Sequence, residues 1–346
     1  MELTREITLR RPFDAHVHLR DGAALRTVVP HVARDFGRAL VMPNLTPPVT
    51  TTDAALAYRQ RILQHVPAGA DFEPLMALYL TDSTSPAEIA RAAETDGVVA
   101  VKSYPAGATT NSDAGVTTMD RVGDALAAME EHGLLLLVHG EVTAPDVDVF
   151  DREVRYLDEV LAPVVEAHPR LRVVLEHVTT REGVDFVRAA RDGVAATITA
   201  HHLLYHRNHM LVGRIRPHLY CLPILKASPH RDALIEAATG DDPRFFLGTD
   251  SAPHGRSAKE CASGCAGCYT SPLALALYAE IFEDAGALER LEAFAHTRAT
   301  AFYGLSEQPG TVTLRREDWV CPAAYPFADE DVVPLRAGET LRWRVV

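Results

Sequence analysis

Short apolar runs alternate with segments of helical periodicity along most of this chain. The runs are rich in valine, leucine and alanine, which is typical of strands buried on both faces of a sheet. They fall at residues 12–17, 38–43, 73–79, 98–104, 134–139, 172–177, 194–199 and 244–249. Eight strands separated by helices predict an α/β fold, the closed parallel (β/α)8 TIM barrel, with a doubly wound open sheet as the alternative.

The boundaries of two helices carry clear signals. The sequence SPAE at 85–88 has the spacing of a capping box with proline at the first helical position. A second helix presents Val122, Leu126 and Met129 on one face and ends at Gly133.

The alternation of strands and helices ends at about residue 305. The last part of the chain carries two short β-like runs, TVTLRR at 311–316 and LRWRVV at 341–346. We expect a single barrel domain over residues 1–346 with short β additions at the termini. Within it, residues 305–346 form a C-terminal extension that packs on the barrel.

Composition narrows the class of protein. The 346 residues include 34 basic and 47 acidic side chains, a formal charge of −13, which argues against nucleic acid and anionic membrane surfaces as partners. The most apolar run, LLLLV at 134–138, is far shorter than the ~20 residues of a membrane span, and the N-terminal stretch lacks the apolar core of a signal peptide. Five cysteines, an odd number, argue against a disulfide scaffold, so we expect a cytoplasmic protein.

Polar side chains stand at the C-terminal ends of the predicted strands, where the catalytic groups of such barrels collect. They are His16 and His18 on the first strand, Lys102 on the fourth, His139 on the fifth, His177 on the sixth and Asp250 after the eighth. A single histidine in such a place is more often a hydrogen-bonded structural residue. Six such groups at equivalent places on five strands instead predict a metal centre.

The spacing of His16 and His18 suits metal binding. Residues i and i+2 of a strand face the same side, with their side-chain bases about 6–7 Å apart. The two imidazoles can therefore bind one ion from inside the barrel, and with Asp250 and a water they make an ordinary zinc site with an open position. His139 and His177 on the next strands suggest a second ion beside the first.

Lys102 ends the apolar run GVVAVKSYP at 97–105. A protonated ammonium is costly there, and it would repel two nearby cations. Because a desolvated lysine loses its proton readily, the neutral amine can add carbon dioxide, and the resulting carbamate offers one oxygen to each metal. Two alternatives stay open: a lysine that reaches solvent from the strand end, and a Schiff-base lysine of the aldolase type, although an aldolase has no use for four imidazoles.

Five stretches of the chain carry a resemblance to a known family. They are DAHVHLRDG at 14–22, VMPNLTPPVTT at 41–51, VHGEVT at 138–143, HMLVGRIRPHLYCLPILK at 209–226 and FLGTDSAPH at 246–254. They closely resemble the class II dihydroorotases of the bacterial type, in the amidohydrolase superfamily. The resemblance implies a barrel of the metal-dependent hydrolase type. It also implies zinc-dependent, reversible cyclisation of N-carbamoyl-L-aspartate to L-dihydroorotate plus water, the third step of pyrimidine (UMP) biosynthesis.

The same resemblance implies roles for the strand-end residues. It implies that His16, His18 and Asp250 bind one zinc ion, that His139 and His177 bind the other, and that carboxylated Lys102 bridges the two with a hydroxide. Asp250 is then also the catalytic group that moves the proton between the hydroxide and the ring nitrogen. A homodimer acting on a small-molecule substrate is the family expectation.

A receiver for the substrate α-carboxylate is expected at the rim of the barrel. Arg20 follows the two metal histidines on the same alternation, Asn44 lies just past the second strand, and His254 follows the eighth. A guanidinium binds a planar carboxylate in bidentate fashion. Neutral ring substrates need no such clamp, so these residues argue against the rival function of a hydantoinase or allantoinase.

Further substrate contacts are implied by the resemblance alone. His139 and backbone groups near Leu222 and Ala266 hold the substrate, and the segment 105–115 is a lid whose Thr109 and Thr110 reach it.

Two motifs are given no role. Cys261, Cys265 and Cys268 have the C-x3-C-x2-C spacing of radical SAM iron–sulfur sites, but they follow the eighth strand rather than the first, so we interpret them as reduced loop thiols. The histidines of HHLLYHRNH at 201–209 are interpreted as packing residues of a long loop, with no metal assigned.

Two positions depart from the family pattern. Ser103 stands where a larger apolar residue is expected, and Ala200-His201 stands where Pro-Gln is expected. Neither position is a predicted metal ligand.

Overall fold

Eight parallel strands form a barrel at the centre of the fold, in a computed structural model that describes residues 5–346. The strands of the chain are β1 (Glu6–Arg10), β2 (Phe13–Val17), β3 (Arg38–Val41), β4 (Glu73–Tyr79), β5 (Val98–Ser103), β6 (Leu135–His139), β7 (Val173–Glu176), β8 (Val194–Ile198), β9 (Phe245–Leu247), β10 (Thr311–Val320), β11 (Tyr325–Phe327), β12 (Glu330–Val332) and β13 (Thr340–Val345). Strands β2 to β9 lie in sequence order, each parallel to the next. The ring closes between β2 and β9 through backbone hydrogen bonds from His18 N to Ser251 O (3.0 Å) and from Asp250 N to His16 O (2.9 Å). The eight predicted strands are confirmed, and the open-sheet alternative is wrong.

Helices connect the strands and cover the outside of the barrel. The α-helices are α1 (Leu25–Asp35), α2 (Thr52–Leu63), α3 (Pro86–Ala93), α4 (Gly123–His132), α5 (Arg152–Tyr156), α6 (Ala162–Ala167), α7 (Arg181–Ala189), α8 (Ala200–Leu204), α9 (Arg207–Leu211), α10 (Ser228–Thr239), α11 (Arg256–Lys259), α12 (Ala274–Asp284) and α13 (Arg298–Tyr303). Short 3-10 turns lie at Gly22–Ala24, Met119–Val122, Pro217–Leu219 and Leu288–Arg290, and π turns lie at Leu157–Leu161 and Ala293–Thr297. None of the helices in residues 5–346 combines the length and the apolar composition required to span a membrane.

The helix ends follow the predicted signals, with one difference. The Ser85 hydroxyl accepts a hydrogen bond from Glu88 N at 3.2 Å, which starts α3, and Gly133 ends α4 with a φ of 77°. The Glu88 carboxylate is engaged elsewhere, because its Oε1 accepts from Thr52 N at 2.6 Å. It therefore caps the start of α2 and ties two neighbouring helices together.

The interior of the barrel is filled by apolar side chains below the polar strand ends. This inner cluster comprises Phe13, Ala15, Leu40, Met42, Leu75, Ala77, Ala100, Leu135, Leu137, Val174, Ala195 and Phe246 from the strands, with Ala299 and Tyr303 from α13. The rings of Phe13 and Tyr303 meet edge to face with their centroids 5.3 Å apart. The polar groups at the opposite ends of the strands therefore lie above a packed apolar floor.

An irregularity in β2 turns the two histidines inward. Ala15 belongs to the inner cluster, whereas Val17 packs in the outer cluster between strands and helices. The pairing of β2 with β3 shifts register between Asp14 and Val17. A shift of this kind changes which side chains face the interior, so His16 and His18 both point into the barrel.

A small antiparallel sheet joins the two ends of the described chain. Its strand order is β1-β10-β13, and β10 and β13 contain the two β-like runs predicted in the tail. The side chains of Leu314, Leu341 and Trp343 are fully buried and share one hydrophobic cluster with the outer face of the barrel. The short β additions expected at the termini form this sheet.

A buried carboxylate fixes the chain just after β7, close to His177. Glu153 on α5 accepts hydrogen bonds from the backbone N–H groups of Thr179 and Thr180, both at 2.9 Å, and from both hydroxyls at 2.6 and 2.5 Å. Thr180 in turn caps α7 by accepting from Gly183 N at 3.0 Å. One carboxylate thus satisfies four donors where strand β7 turns into the following helix.

Glu153→Ala is expected to lower the free energy of unfolding by about 3 kcal/mol, because each buried donor left unsatisfied costs roughly 1–3 kcal/mol. The measurement is urea denaturation at a fixed concentration of divalent metal. The control is Glu159→Ala, which removes an exposed ion pair with Arg155 and should cost about 0.5 kcal/mol or less. Equal losses for the two variants would contradict the role given to Glu153.

Candidate metal centre and substrate pocket

The six predicted ligands meet at the C-terminal end of the barrel. They are His16 from β2, His18 just after β2, Lys102 from β5, His139 from β6, His177 just after β7 and Asp250 just after β9, and all are buried. His177 and Asp250 each have a φ of 43°, in the left-handed region that L-residues rarely adopt. The chain holds them there through hydrogen bonds from His177 N to Thr197 Oγ1 (2.7 Å) and from Asp250 N to His16 O (2.9 Å). Strained backbone of this kind clusters at functional sites.

Two imidazoles and one carboxylate form a compact donor group. The Oδ1 atom of Asp250 lies 3.0 Å from His18 Nε2 and 3.3 Å from His16 Nε2, and the two Nε2 atoms are 3.4 Å apart. Burial alone raises the pKa of Asp250, but hydrogen bonds from His16 and His18 outweigh burial and hold that pKa well below its ordinary value. Three donors within this distance of one another can bind a single divalent ion.

The remaining ligands lie directly beside that group. The ring centroids of His139 and His177 are 4.9 Å apart, and His177 lies 5.0 Å from His16. Burial, followed by repulsion from Lys102, holds the pKa of His177 well below its ordinary value, so its imidazole is neutral and its Nδ1 has no hydrogen-bond partner. A neutral imidazole with a free nitrogen suits a metal ligand.

Lys102 is fully buried, and its Nζ has no hydrogen-bond partner among residues 5–346. Burial lowers the pKa of this amine from 10.5 to about 8, and attraction to Glu176 and Asp250 offsets only part of that effect. The amine lies 5.1 Å from the centre of the Tyr104 ring. A buried amine without a partner fits a residue completed by carboxylation and metal binding, and the solvent-reaching alternative is wrong.

Outer hydrogen bonds orient three of the imidazoles. Glu176 Oε2 lies 2.8 Å from His16 Nδ1, Glu141 Oε2 lies 2.7 Å from His139 Nε2, and Asn44 Oδ1 lies 2.8 Å from His18 Nδ1. Each contact occupies one ring nitrogen and leaves the other ring nitrogen facing the centre, which is the usual arrangement of histidine metal ligands.

The two glutamates of this outer set were not predicted from the sequence. A usable signal exists, since Glu176 directly precedes His177 and Glu141 follows His139 by two residues. Glu176 is further held by the Thr197 hydroxyl, which donates to its Oε2 at 2.6 Å.

A small cavity opens beside the donor group. Of the predicted site residues it is lined by His18, Arg20, Asn44, Thr109, Thr110, His139, His177, Leu222, Asp250 and Ala266. Tyr104, Ala252 and Gly267 complete the lining and were not predicted. His254 lies behind this wall, against Arg20. The structure thus brings the predicted metal, substrate and lid residues together around one pocket.

Arg20 presents a half-buried cation to the pocket. Its Nε donates to Pro253 O at 2.9 Å, its Nη2 donates to His254 Nε2 at 2.9 Å, and its backbone has a φ of 60°. Burial, followed by repulsion from Arg20, lowers the pKa of His254 to about 2, so this imidazole is neutral and accepts the hydrogen bond. No carboxylate pairs with the guanidinium in an ion pair among residues 5–346, so its charge is available to an anionic ligand.

The predicted lid lies over the pocket and is tied to Asn44. Asn44 Nδ2 donates to Thr110 O at 3.1 Å, and Asn111 Nδ2 donates to Asn44 O at 3.1 Å. Asn44 was predicted as a carboxylate receiver. It lines the pocket, but its amide oxygen is engaged with His18 and its amide nitrogen with the lid.

Two motifs were given no role in the sequence analysis, the C-x3-C-x2-C cysteines and the histidines of residues 201–209. Cys261 is exposed, Cys265 half-buried and Cys268 buried, and neither Cys261 nor Cys265 joins a metal-competent group within residues 5–346. The long loop predicted over 201–209 is wrong, because this segment forms helices α8 and α9 and buries His201 and His202. Thr199 caps α8 by accepting from His202 N at 3.1 Å, which the apolar pattern does not reveal.

Comparison with known proteins gives the family. Residues 13–315 match the Amidohydrolase family. The chain is 61% identical over 342 residues to the dihydroorotase of Azoarcus sp. (strain BH72), with 99% of both chains covered. It is 60% identical over 344 residues to the dihydroorotase of Pseudomonas fluorescens (strain SBW25), again with 99% of both chains covered. The chain belongs to the amidohydrolase family, among the dihydroorotases.

Solved structures agree with this assignment. This amidohydrolase superposes on dihydroorotase from Campylobacter jejuni with a TM-score of 0.92 and 33% identity, covering 100% of this chain and 99% of the other. Superposition on dihydroorotase from Saccharomyces cerevisiae in complex with 5-fluoroorotic acid gives a TM-score of 0.92 at 32% sequence identity, with 99% of both chains covered. The L-hydantoinase of Arthrobacter aurescens shares the fold, with a TM-score of 0.80, at 16% identity over 98% of this chain and 82% of the other.

Glu176→Gln is expected to weaken metal binding by this amidohydrolase about 10- to 100-fold, because the neutral amide no longer increases the basicity of His16. Equilibrium dialysis against zinc with elemental analysis measures the loss. Glu166→Gln, a change at an exposed glutamate on α6, should leave zinc affinity unaltered. Wild-type affinity in Glu176→Gln would mean that the carboxylate does not tune the ligand.

Proposed function

We propose that this protein is a dihydroorotase, which converts N-carbamoyl-L-aspartate reversibly to L-dihydroorotate and water in the third step of pyrimidine biosynthesis. The observation that carries the proposal is a pocket with metal-binding side chains on one side and a cationic side chain on the other. Three imidazoles and the Asp250 carboxylate line one side, and the half-buried guanidinium of Arg20 lies on the other. Relatives at about 60% identity over the full length bear the same name.

We propose two zinc ions per chain. His16, His18 and Asp250 hold one, His139 and His177 hold the other, and carboxylated Lys102 is shared between them. Support comes from the convergence of the first three side chains and from the free nitrogens of His177 and Lys102. Zinc in such a site supplies Lewis-acid polarisation of the substrate carbonyl and activation of water.

Asp250 is the proposed proton carrier. Its carboxylate lines the pocket, and its pKa, well below the ordinary value, keeps it ionised. In the hydrolytic direction it takes a proton from the attacking water and delivers it to the amide nitrogen as the ring C–N bond breaks. In the biosynthetic direction it takes the proton from the ureido nitrogen as that nitrogen bonds to the side-chain carboxyl carbon. It passes this proton to the departing carboxylate oxygen, which takes a second proton from solvent and leaves as water.

Arg20 is the proposed receiver of the substrate α-carboxylate, held in place by Pro253 O and by the neutral His254. The backbone near Leu222 and Ala266 and the lid residues Thr109 and Thr110 enclose the remaining faces of the ring. Water exclusion by such a lid strengthens the electrostatic contacts inside the pocket.

Assembly and location are proposed from family similarity. The full-length similarity to dihydroorotases supports a homodimer in the cytoplasm. Light scattering of the purified protein tests the dimer, with a mass of one chain as the contrary result.

Lys102→Ala is expected to lose most of its bound zinc and its dihydroorotate hydrolysis, because the shared anionic ligand disappears. A short carboxylic acid such as acetate should restore part of both. The control is Lys226→Ala, whose buried ammonium donates to Ile224 O outside the pocket. Zinc content and hydrolysis are measured together, and an unchanged zinc content in Lys102→Ala would contradict the shared ligand.

Arg20→Met is expected to raise the KM for dihydroorotate by about 10- to 100-fold, since charge-assisted hydrogen bonds contribute roughly 1.5–3 kcal/mol. Bound zinc should be unchanged. The control is Arg26→Met at an exposed position on α1. Steady-state kinetics with dihydroorotate and with hydantoin measure the effect. An unaltered KM argues against the clamp, and faster turnover of hydantoin by the wild type would reject the proposed function.

A further inference from the structure

Three buried side chains outside the proposed catalytic centre converge on one point. They are His201 on α8, Cys221 in the segment between α9 and α10, and Cys268 in the segment after α11. At most 1% of each is exposed, and one ligand atom of each lies within 4.8 Å of the other two. Cysteine sulfur and histidine nitrogen are the usual zinc donors.

The hydrogen bonds of this cluster are incomplete. Within the described part of the chain, neither Nδ1 nor Nε2 of buried His201 has a hydrogen-bond partner. Neighbouring His202 is fully satisfied, with Nδ1 2.8 Å from the Thr199 hydroxyl and Nε2 2.9 Å from Pro223 O. A buried imidazole without a partner is costly, so the contrast indicates a ligand for His201 that protein atoms do not supply.

The two thiols have only weak partners. Cys221 Sγ lies 3.4 Å from Pro223 O, and Cys268 Sγ lies 3.4 Å from His218 O. Both are free cysteines, and sulfur makes weak hydrogen bonds. Metal binding by the two thiols would therefore break only weak hydrogen bonds.

A buried ammonium keeps the two cysteine segments in place. Lys259 Nζ donates to Tyr220 O at 2.9 Å, to Cys265 O at 2.7 Å and to Gly267 O at 2.8 Å. Tyr220 directly precedes Cys221, and Gly267 directly precedes Cys268, so one side chain fixes the backbone beside both thiols. The donors are thus pre-positioned. The Cys268 thiol and burial raise the pKa of Cys221 well above its ordinary value, and the Lys259 ammonium offsets only part of that effect, so metal binding itself must displace the thiol proton.

We propose that His201, Cys221 and Cys268 bind one thiophilic divalent cation of the zinc type. Two thiolates and one imidazole form a neutral complex with such an ion, and the two thiol protons go to solvent. With three protein ligands, one tetrahedral position stays open to water, so the ion exchanges more readily than in a closed four-ligand site.

The site lies behind the wall of the substrate pocket. Cys221 is followed by Leu222, and Cys268 is preceded by Gly267, and both of these neighbours line the cavity. Cys268 also pairs with Ser251, next to Asp250. An ion bound there contacts the segments that enclose the substrate without contacting the reacting atoms.

Cobalt titration of the zinc-loaded protein under reducing conditions tests the proposal. The proposed catalytic ligands are nitrogen and oxygen donors, so a thiolate-to-cobalt charge-transfer band in the near ultraviolet can come only from cysteine. We expect this band to saturate at one cobalt per chain. The readout does not depend on dihydroorotate turnover, so its failure is distinguishable from failure of the proposed function.

Variants assign the band to these residues. His201→Gln should weaken cobalt binding by more than about tenfold. Loss of a residue that only hydrogen-bonds to a metal ligand costs about tenfold or more in affinity, and His201 is itself a proposed ligand. Cys221→Ser and Cys268→Ser, on separate segments, should each remove most of the band. Cys321→Ser, a change at a buried cysteine in the C-terminal sheet region, should keep the full band, and circular dichroism confirms folding of each variant.

Two results would overturn the proposal. One is a wild-type protein that shows no thiolate band. The other is a band that persists at full strength in His201→Gln, Cys221→Ser and Cys268→Ser, which would place the cobalt at Cys261 or Cys265.

Discussion

The site is organised around a primary amine that has no partner. Lys102 ends β5 with its Nζ enclosed by protein, and burial lowers the pKa of that amine to about 8. Attraction to Glu176 and Asp250 favours the charged form but does not restore its ordinary pKa. A pKa of about 8 lets this amine release its proton more readily than an ordinary lysine, and the protein atoms of residues 5–346 offer its Nζ no hydrogen bond. In the proposed site, carboxylation would convert it to an anion with two oxygens, and that anion would in turn need the cations that the surrounding imidazoles can hold.

The histidines are prepared for those cations by buried acids. Glu176 and Glu141 are fully buried, and each contacts one ring nitrogen of a ligand. A buried carboxylate is costly without a partner, and a histidine ligand is poorly oriented without one. The contact between them gives the carboxylate a partner and orients the histidine. The consequence is that removing the outer acid affects the metal as well as the packing.

The closure of the barrel and the geometry of the site depend on the same contacts. Asp14 on β2 accepts from Thr249 N at 2.8 Å and from the Thr249 hydroxyl at 2.6 Å, and burial raises the pKa of Asp14 to about 7. Thr249 directly precedes Asp250, whose φ is positive. The pair thus joins the first and last barrel strands just where the chain must adopt a strained turn, and the strain of a few kcal/mol at such positions is offset by the surrounding fold.

Much of this arrangement could be predicted from the sequence, and the limits have physical causes. Strand order and the six ligands were predictable because each ligand ends an apolar run, and parallel strands end on one face. The register shift in β2 could not be predicted, because it depends on the pairing of β2 with β3. Nor was the engagement of Asn44 with His18, since a side-chain amide can serve either a substrate or a ligand. The helices α8 and α9 were missed because both are five residues long, too short for a periodic pattern.

Selectivity between carboxylated and neutral rings follows from what surrounds Arg20. The hydantoinase neighbours share this barrel at 16% identity or less, so the fold by itself does not choose the substrate. Here the guanidinium is half-buried and donates to one carbonyl and one neutral imidazole, neither of which cancels its charge. In the role proposed for Arg20, a dihydroorotate carboxylate supplies the missing anion. A neutral ring offers no such anion, so a site built this way would reject the analogue by the loss of charge pairing rather than by shape.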